Sequence, residues 1–289
     1  MIEPIIASPE VVRYVVKRFG LRMSKKLGQN FLVRRDVVDR IVMAADLQEH
    51  DRVLEIGPGI GTLTQGLAQS GAAVTSVELD QRLLPVLEHT LEAYDNVRIV
   101  HGDVLKTNLP ELMGQGSYKV CANLPYYITT PIIMALLEQH LPIECMVVMV
   151  QKEVAERMTA RPGSKAYGAL SVSVQYYTEP EIMFDVPPKA FLPAPEVTSA
   201  VVRMKVRQQP PVALKEERAF FHVVKAAFQQ RRKMLTNTLK SCGMDKEMAD
   251  RVLAAAGIDS SRRGETLSLE EFAALANAWV SLRGESSNQ

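Results

Sequence analysis

The chain has 289 residues, 47% of them hydrophobic and 23% charged, with a formal net charge of +1. That balance fits a soluble globular protein with one large domain, or one domain plus a small appendage, and by itself calls for no polyanion partner. No apolar run reaches membrane-spanning length, and Met1 to Glu10, which contains Glu3 and Pro4, lacks the pattern of a secretory signal, so a cytoplasmic protein without a membrane partner is expected.

Ser8-Pro9 opens a helix over residues 8–20, and Asp36 to Ala45 reads as a second amphipathic helix. Arg52 to Ile56 is a short β run, followed at once by Gly57-Pro58-Gly59-Ile60-Gly61 and a helical stretch through Ala68. Ala73 to Val77 is the next strand, ending in Glu78-Leu79-Asp80, with a helix through about Ala93. Val97 to Val100, Tyr118 to Ala122 and Cys145 to Val150 continue the series. Strands alternating with helices predict an α/β fold with a doubly wound, mostly parallel sheet. Leu170 to Tyr177 and Ser199 to Val206 read as further β segments, an antiparallel pair at one edge. Pro210-Pro211 breaks the pattern, and Glu216 to Cys242, Lys246 to Ala256 and Ser268 to Leu282 read as helices. The expected division is residues 1–207, with a basic helical segment over 1–45, and a small C-terminal all-helical domain over 208–289, joined by a linker near 207–214.

Charge is unevenly spread. Val11 to Arg35 holds eight basic residues and no acid, and Lys225 to Lys240 holds five more, again without an acid. Two such stretches in a near-neutral protein predict surfaces for a phosphate backbone. Cys121, Cys145 and Cys242 lie far apart, and the five histidines show no ligand spacing, so neither a disulfide framework nor a metal site is expected.

The chemistry-bearing residues fall at strand ends. Glycines between a strand and a helix let the backbone approach a ligand closely, which selects Gly57 and Gly59. Glu55, an acid beside that loop, argues against a diphosphate and for the cationic end of S-adenosylmethionine. Glu78, with Leu79 beside it, stands where an acid bonds ribose hydroxyls; Asp80 reads as a solvated loop acid. Asp103, followed by Val104, is placed to accept from an adenine amine. Asn123-Leu124-Pro125-Tyr126 is the most specific stretch. Pro125 holds Leu124 extended, so the Asn123 oxygen and a neighbouring backbone carbonyl can accept from an exocyclic amine while Tyr126 stacks on its ring. This suits methylation at adenine N6.

Six ordered motifs, Lys25 to Leu32, Glu55 to Gly61, Val77 to Asp80, Gly102-Asp103, Asn123 to Ile128, and Phe191 to Ser199 with Phe228 to Asn237 beyond, resemble the ribosomal RNA adenine dimethylase family. The resemblance implies a Rossmann-like class I methyltransferase that dimethylates two adjacent adenines near the 3′ end of small-subunit rRNA. It implies S-adenosyl-L-methionine as cofactor and the immature 30S particle as partner; nothing in the sequence demands more than a monomer. It further implies that Gln29, Asn30 and Leu32 close over the cofactor, that Gly57, Glu78, Asp103 and Asn123 hold its groups, and that Tyr126 and Phe191 sandwich the target adenine. Tyr127 stands where some relatives carry Asn and is given no catalytic role. The alternatives are a macrolide-resistance type of large-subunit rRNA adenine methyltransferase and a ribosome-assembly factor whose binding outweighs catalysis.

Overall fold

The computed structural model describes residues 5–21, 29–230 and 232–286. Arg22, Lys25 and Lys26 of the first basic stretch and Arg231 of the second therefore lie outside the described residues.

The chain opens with α1 (Pro9–Arg18), β1 (Phe31–Leu32) and α2 (Arg35–Ala45). The alternating series follows: β2 (Arg52–Ile56), α3 (Thr62–Gln69), β3 (Ala73–Glu78), α4 (Leu84–Thr90) and β4 (Val97–His101). It continues with α5 (Leu109–Met113), β5 (Tyr118–Asn123), α6 (Thr129–Glu138) and β6 (Ile143–Gln151). Then come α7 (Lys152–Met158), α8 (Ala169–Tyr177), β7 (Thr178–Val186), β8 (Phe191–Leu192) and β9 (Ser199–Val206). The last four helices are α9 (Glu217–Gln229), α10 (Leu235–Thr238), α11 (Lys246–Ala255) and α12 (Leu269–Ser286).

Two compact units emerge, one of residues 1–155 with 179–206, the other of 156–178 with 207–289. The first holds a seven-stranded sheet in the order β4-β3-β2-β5-β6-β9-β7. β2 pairs in parallel with β3 and β5, β3 with β4, and β5 with β6, whereas β9 runs antiparallel to β6. The expected doubly wound, mostly parallel sheet is therefore present. Its central strands are apolar on both faces, as a sheet covered by helices requires: Val53 and Leu54 of β2, and Val120 and Cys121 of β5, are fully buried. Val37, Val38 and Ile41 of α2 pack with Leu63 and Leu67 of α3 in one cluster, and the helices approach so closely that a Cβ on Gly66 would lie 2.3 Å from Val38. A second cluster joins Val12 and Val15 of α1 to Ile60, Leu83, Val86 and Leu87. The N-terminus of α1 is capped as Ser8 suggested, its hydroxyl accepting from the Val11 N–H at 3.2 Å.

Two sequence expectations fail here. Residues 170–177 are helix, not strand, and residues 156–178 join the C-terminal helices instead of the sheet domain that the 1–207 boundary gave them. The apolar-polar alternation Leu170-Ser-Val-Ser-Val-Gln-Tyr176 invites a strand reading, but Leu170, Ser171, Val172, Val174, Tyr176 and Tyr177 are all buried, so alternation marks no exposed face. The polar members bond to backbone nearby in the chain instead: the Gly168 N–H donates to Ser171 Oγ at 3.0 Å, capping the helix, and the Gln175 amide donates to the Met158 and Ala160 carbonyls. The strand beside β9 is β7, which reads poorly because it carries Glu179, Pro180 and Glu181.

The second unit is helical. Tyr176 and Tyr177 both donate to the Glu217 carboxylate, at 3.2 and 2.6 Å, and pack on Phe220 and Phe221. The helix expected over residues 216–242 ends at Gln229 and resumes as α10. Lys225, Arg232, Lys233 and Lys240 of its basic run are exposed.

Candidate functional site

In an open α/β sheet, a ligand crevice forms at the carboxyl ends of the strands where the strand order reverses. Here the reversal lies between β2 and β5. One cleft at that place, wholly within the first unit, is lined by Gln29, Asn30, Leu32, Gly57, Gly59, Glu78, Leu79, Asp103, Val104, Asn123, Leu124, Tyr126 and Phe191. These thirteen residues, all chosen from sequence, thus meet around a single space, although they come from six separate stretches of chain; Glu55 is not among them.

The floor is the loop after β2. Gly57 and Gly59 adopt φ of +68° and +63°, a left-handed backbone costly for any residue with a Cβ. A Cβ on Gly57 would meet no heavy atom within 4 Å, so the space beside this loop is open to a ligand, whereas on Gly59 it would touch the Phe31 ring at 3.4 Å.

Glu78 ends β3 and is buried. Its two carboxylate oxygens accept from the Gly59 N–H at 3.2 Å and the Asp80 N–H at 2.7 Å. Burial pushes its pKa up, with those backbone donors opposing the shift. Each oxygen keeps a lone pair for vicinal hydroxyls. Asp103, at the end of β4, is part-exposed and accepts from the Leu105 N–H at 3.1 Å. Leu79, Val104 and Leu105 offer apolar surface beside these acids, suited to a flat ring. Glycine floor, anchored carboxylate and apolar slot together fit S-adenosylmethionine.

The opposite wall is the Asn123 loop. The Asn123 amide nitrogen donates to the Asn30 carbonyl at 3.5 Å, which orients its side chain, and the buried Leu124 N–H donates to the Met149 carbonyl at 3.1 Å. The Pro125 carbonyl accepts from the Ile128 N–H at 3.1 Å and the Thr129 hydroxyl at 3.0 Å, so the turn is held as Pro125 led one to expect. Tyr126 exchanges a 2.6 Å hydrogen bond with Ser199 Oγ, and burial raises its pKa. Phe191 is only 4% exposed. Its strand β8 pairs antiparallel with β1, in register Phe31 to Leu192 and Leu32 to Phe191.

Two acids depart from their sequence reading. Glu55 is absent from the cleft wall: fully buried, one of its oxygens accepts from Thr64 Oγ1 at 2.7 Å and from Ser76 Oγ at 2.6 Å. It braces the β2–α3 turn from behind and does not face a sulfonium. Asp80 is the converse, for it is 8% exposed and not solvated. It accepts from the Gln29 amide at 2.8 Å and from the Arg82 guanidinium, and Arg82 holds its pKa down to about 2. Asp80 thereby fastens Gln29 to the end of β3. The signal available was the Asp80–Arg82 spacing, since a carboxylate two residues before an Arg reads as a turn acid with its own partner. Leu105 and Tyr127 also line the cleft and were given no role from sequence.

Glu55 leads to a pH prediction. Burial pushes its pKa up to about 7 from an ordinary 4.5. The folded chain therefore binds an extra proton between those values, and stability falls as pH rises through that window. Glu55→Gln, which imitates the protonated acid, should gain on the wild type by about 2–3 kcal/mol between pH 5 and pH 8. Denaturant unfolding at both pH values measures this; a difference constant with pH would refute it.

Comparison with known proteins places the chain in a family. The family model described as ribosomal RNA adenine dimethylase matches residues 20–275. Ribosomal RNA small subunit methyltransferase A of Geobacillus kaustophilus (strain HTA426) is 50% identical over 97% of this chain and 99% of its own length. The protein of the same name from Alkaliphilus oremlandii (strain OhILAs) is 47% identical over 94% and 97%. Among solved structures, a dimethyladenosine transferase from Plasmodium falciparum superposes with a TM-score of 0.73 at 26% identity, covering 85% of this chain and 95% of that one. The 23S rRNA methyltransferase ErmE gives 0.66 at 28%, covering 87% and 100%. By these matches over most of its length, the chain belongs to the ribosomal RNA adenine dimethylase family.

Proposed function

We infer that this protein is an S-adenosylmethionine-dependent rRNA (adenine-N6,N6)-dimethyltransferase acting on two adjacent adenines near the 3′ end of small-subunit rRNA. The observation that carries the reading is the meeting of the Gly57–Gly59 loop, Glu78 and Asp103 with the Asn123–Tyr126 turn around one cleft. Identity of 50% to the Geobacillus small-subunit methyltransferase, against 28% to ErmE, favours the small subunit over the large.

S-adenosylmethionine supplies an electrophilic methyl group on a cationic sulfur. The roles proposed for this chain's residues follow from their places. Glu78 accepts from ribose hydroxyls, Asp103 from the cofactor's adenine amine, and Gln29, Asn30 and Leu32 cover it from the β1 side, with Gly57, Gly59, Leu79 and Val104 shaping the bed. Tyr126 and Phe191 grip the unstacked target base between rings, as base-modifying enzymes do. The Asn123 oxygen and the Leu124 backbone accept the N6 hydrogens, localising the nitrogen lone pair as N6 passes from planar to tetrahedral. N6 then gains a carbon substituent and becomes strongly acidic, so its proton leaves to solvent without a strong base. Asn, which cannot act as a base, suits this division of labour.

Exposed Arg13, Lys17 and Arg18 of α1, and Lys225, Arg232, Lys233 and Lys240 of the second unit, are suited to rRNA phosphates. The immature 30S particle as the physiological substrate, a monomeric enzyme and a cytoplasmic setting complete the proposal. Among the described residues no helix is long and apolar enough to cross a membrane. The test is incubation of purified protein with radiolabelled S-adenosylmethionine and separated subunits from cells lacking the modification. Label recovered as dimethyladenosine in the small subunit is expected. Label in the large subunit would move the enzyme to the macrolide-resistance type, and binding without label would leave an assembly factor.

A further inference from the structure

Tyr127 is the one aromatic side chain of the cleft lining left with most of its surface free. It is 54% exposed, against 4% for Phe191, while its neighbour Tyr126 is tied to Ser199. Among the described residues Tyr127 has neither a hydrogen-bond partner nor a ring contact, yet its backbone is fixed, because the Pro125 carbonyl binds the Ile128 N–H and the Thr129 hydroxyl around it. A free aromatic ring on a rigid turn loses little conformational freedom on stacking, so the arrangement is preorganised for a flat partner outside the cleft.

The chemistry of the substrate supplies that partner. A base drawn from its stack into the cleft leaves an adjoining base with one face uncovered, and an aromatic side chain at the mouth replaces the lost stacking. We propose that Tyr127 is a positioning residue that stacks on the nucleotide adjoining the target adenine and so holds the RNA in register for methylation of both neighbouring adenines. The proposal rests on the adenine-methylating reading above. The ring stays at the mouth, outside the reacting atoms, so its effect falls on RNA capture and on the choice of base, not on the transfer itself.

The experiment compares wild type, Tyr127→Ala and Tyr127→Phe on small subunits from cells lacking the modification. It measures KM for the particle, the S-adenosylmethionine dissociation constant, and the fraction of RNA methylated at both adenines. Tyr127→Ala should raise KM for the particle roughly tenfold, the loss of one base–aromatic stack. It should also accumulate RNA methylated at a single adenine, with cofactor affinity unchanged. Tyr127→Phe, which keeps the ring, should restore both readouts. Wild-type KM and product distribution in Tyr127→Ala would overturn the assignment. So would weakened cofactor binding without change in KM, which would make the ring part of the cofactor bed, and so would failure of Tyr127→Phe to rescue. A wild-type protein that labels no adenine would instead sink the functional reading itself, before any variant is compared.

Discussion

Asn123→Ala should abolish methylation, with kcat reduced at least 100-fold, while binding to small subunits changes little. The estimate follows from removing an acceptor aimed at charge that develops only in the transition state, an effect on the order of 3 kcal/mol or more. The side chain is anchored through its nitrogen to the Asn30 carbonyl, so its oxygen is directed rather than free to rotate. It contributes little to holding RNA, because the grip on the base is assigned to Tyr126 and Phe191. Single-turnover methylation with saturating particles separates the two effects. Wild-type turnover in the variant would remove Asn123 from the chemistry and leave it a support for the Asn30 segment.

Glu78→Ala should weaken S-adenosylmethionine binding about 100-fold, the loss of charge-assisted hydrogen bonds to two vicinal hydroxyls at roughly 1.5 kcal/mol each. The same change strands the Gly59 and Asp80 N–H groups that the carboxylate now satisfies, so the glycine loop and the Asp80–Gln29 contact loosen with it. Glu78→Gln keeps one acceptor oxygen and should fall between. Calorimetric titration with the cofactor checks both, and an unchanged dissociation constant in Glu78→Ala would refute the role. The prediction is specific to this acid: Glu55, closer to the loop in sequence, should leave the dissociation constant nearly untouched when changed to Gln, because its carboxylate faces Thr64 and Ser76.

Sequence revealed what repeats or what is chemically unusual. The strands β2 and β9 were read with their observed bounds, because buried apolar runs between Gly and Pro breaks have few alternative structures. The cleft residues were legible because glycines and acids at strand ends carry a physical reason to be there. What stayed hidden depends on contacts distant in sequence. Nothing local to Glu55 says that Ser76, on the neighbouring strand, will turn it inward. Nothing local to Leu170–Tyr177 says that Met158 and Ala160 will take up the Gln175 amide and favour helix. The two-residue strands β1 and β8 are too short to announce themselves, and their pairing joins residues far apart in the chain.

That small ribbon has a thermodynamic consequence. Phe31 and Leu32 pair with Leu192 and Phe191, and the Val33 N–H extends the join to the Ala190 carbonyl at 2.8 Å. The strand that follows Gln29 and Asn30 is therefore stitched to the strand that carries one half of the proposed grip on the base. A shift of either segment therefore works against the backbone hydrogen bonds that join it to the other. A molecule that settles the β1 side makes the Phe191 side cheaper to settle, and the reverse holds by the same factor, since coupling between two binding events is reciprocal. With the methyl donor on the β1 side and the target base on the Phe191 side, as proposed, these backbone hydrogen bonds are the expected route by which each ligand raises the equilibrium affinity for the other.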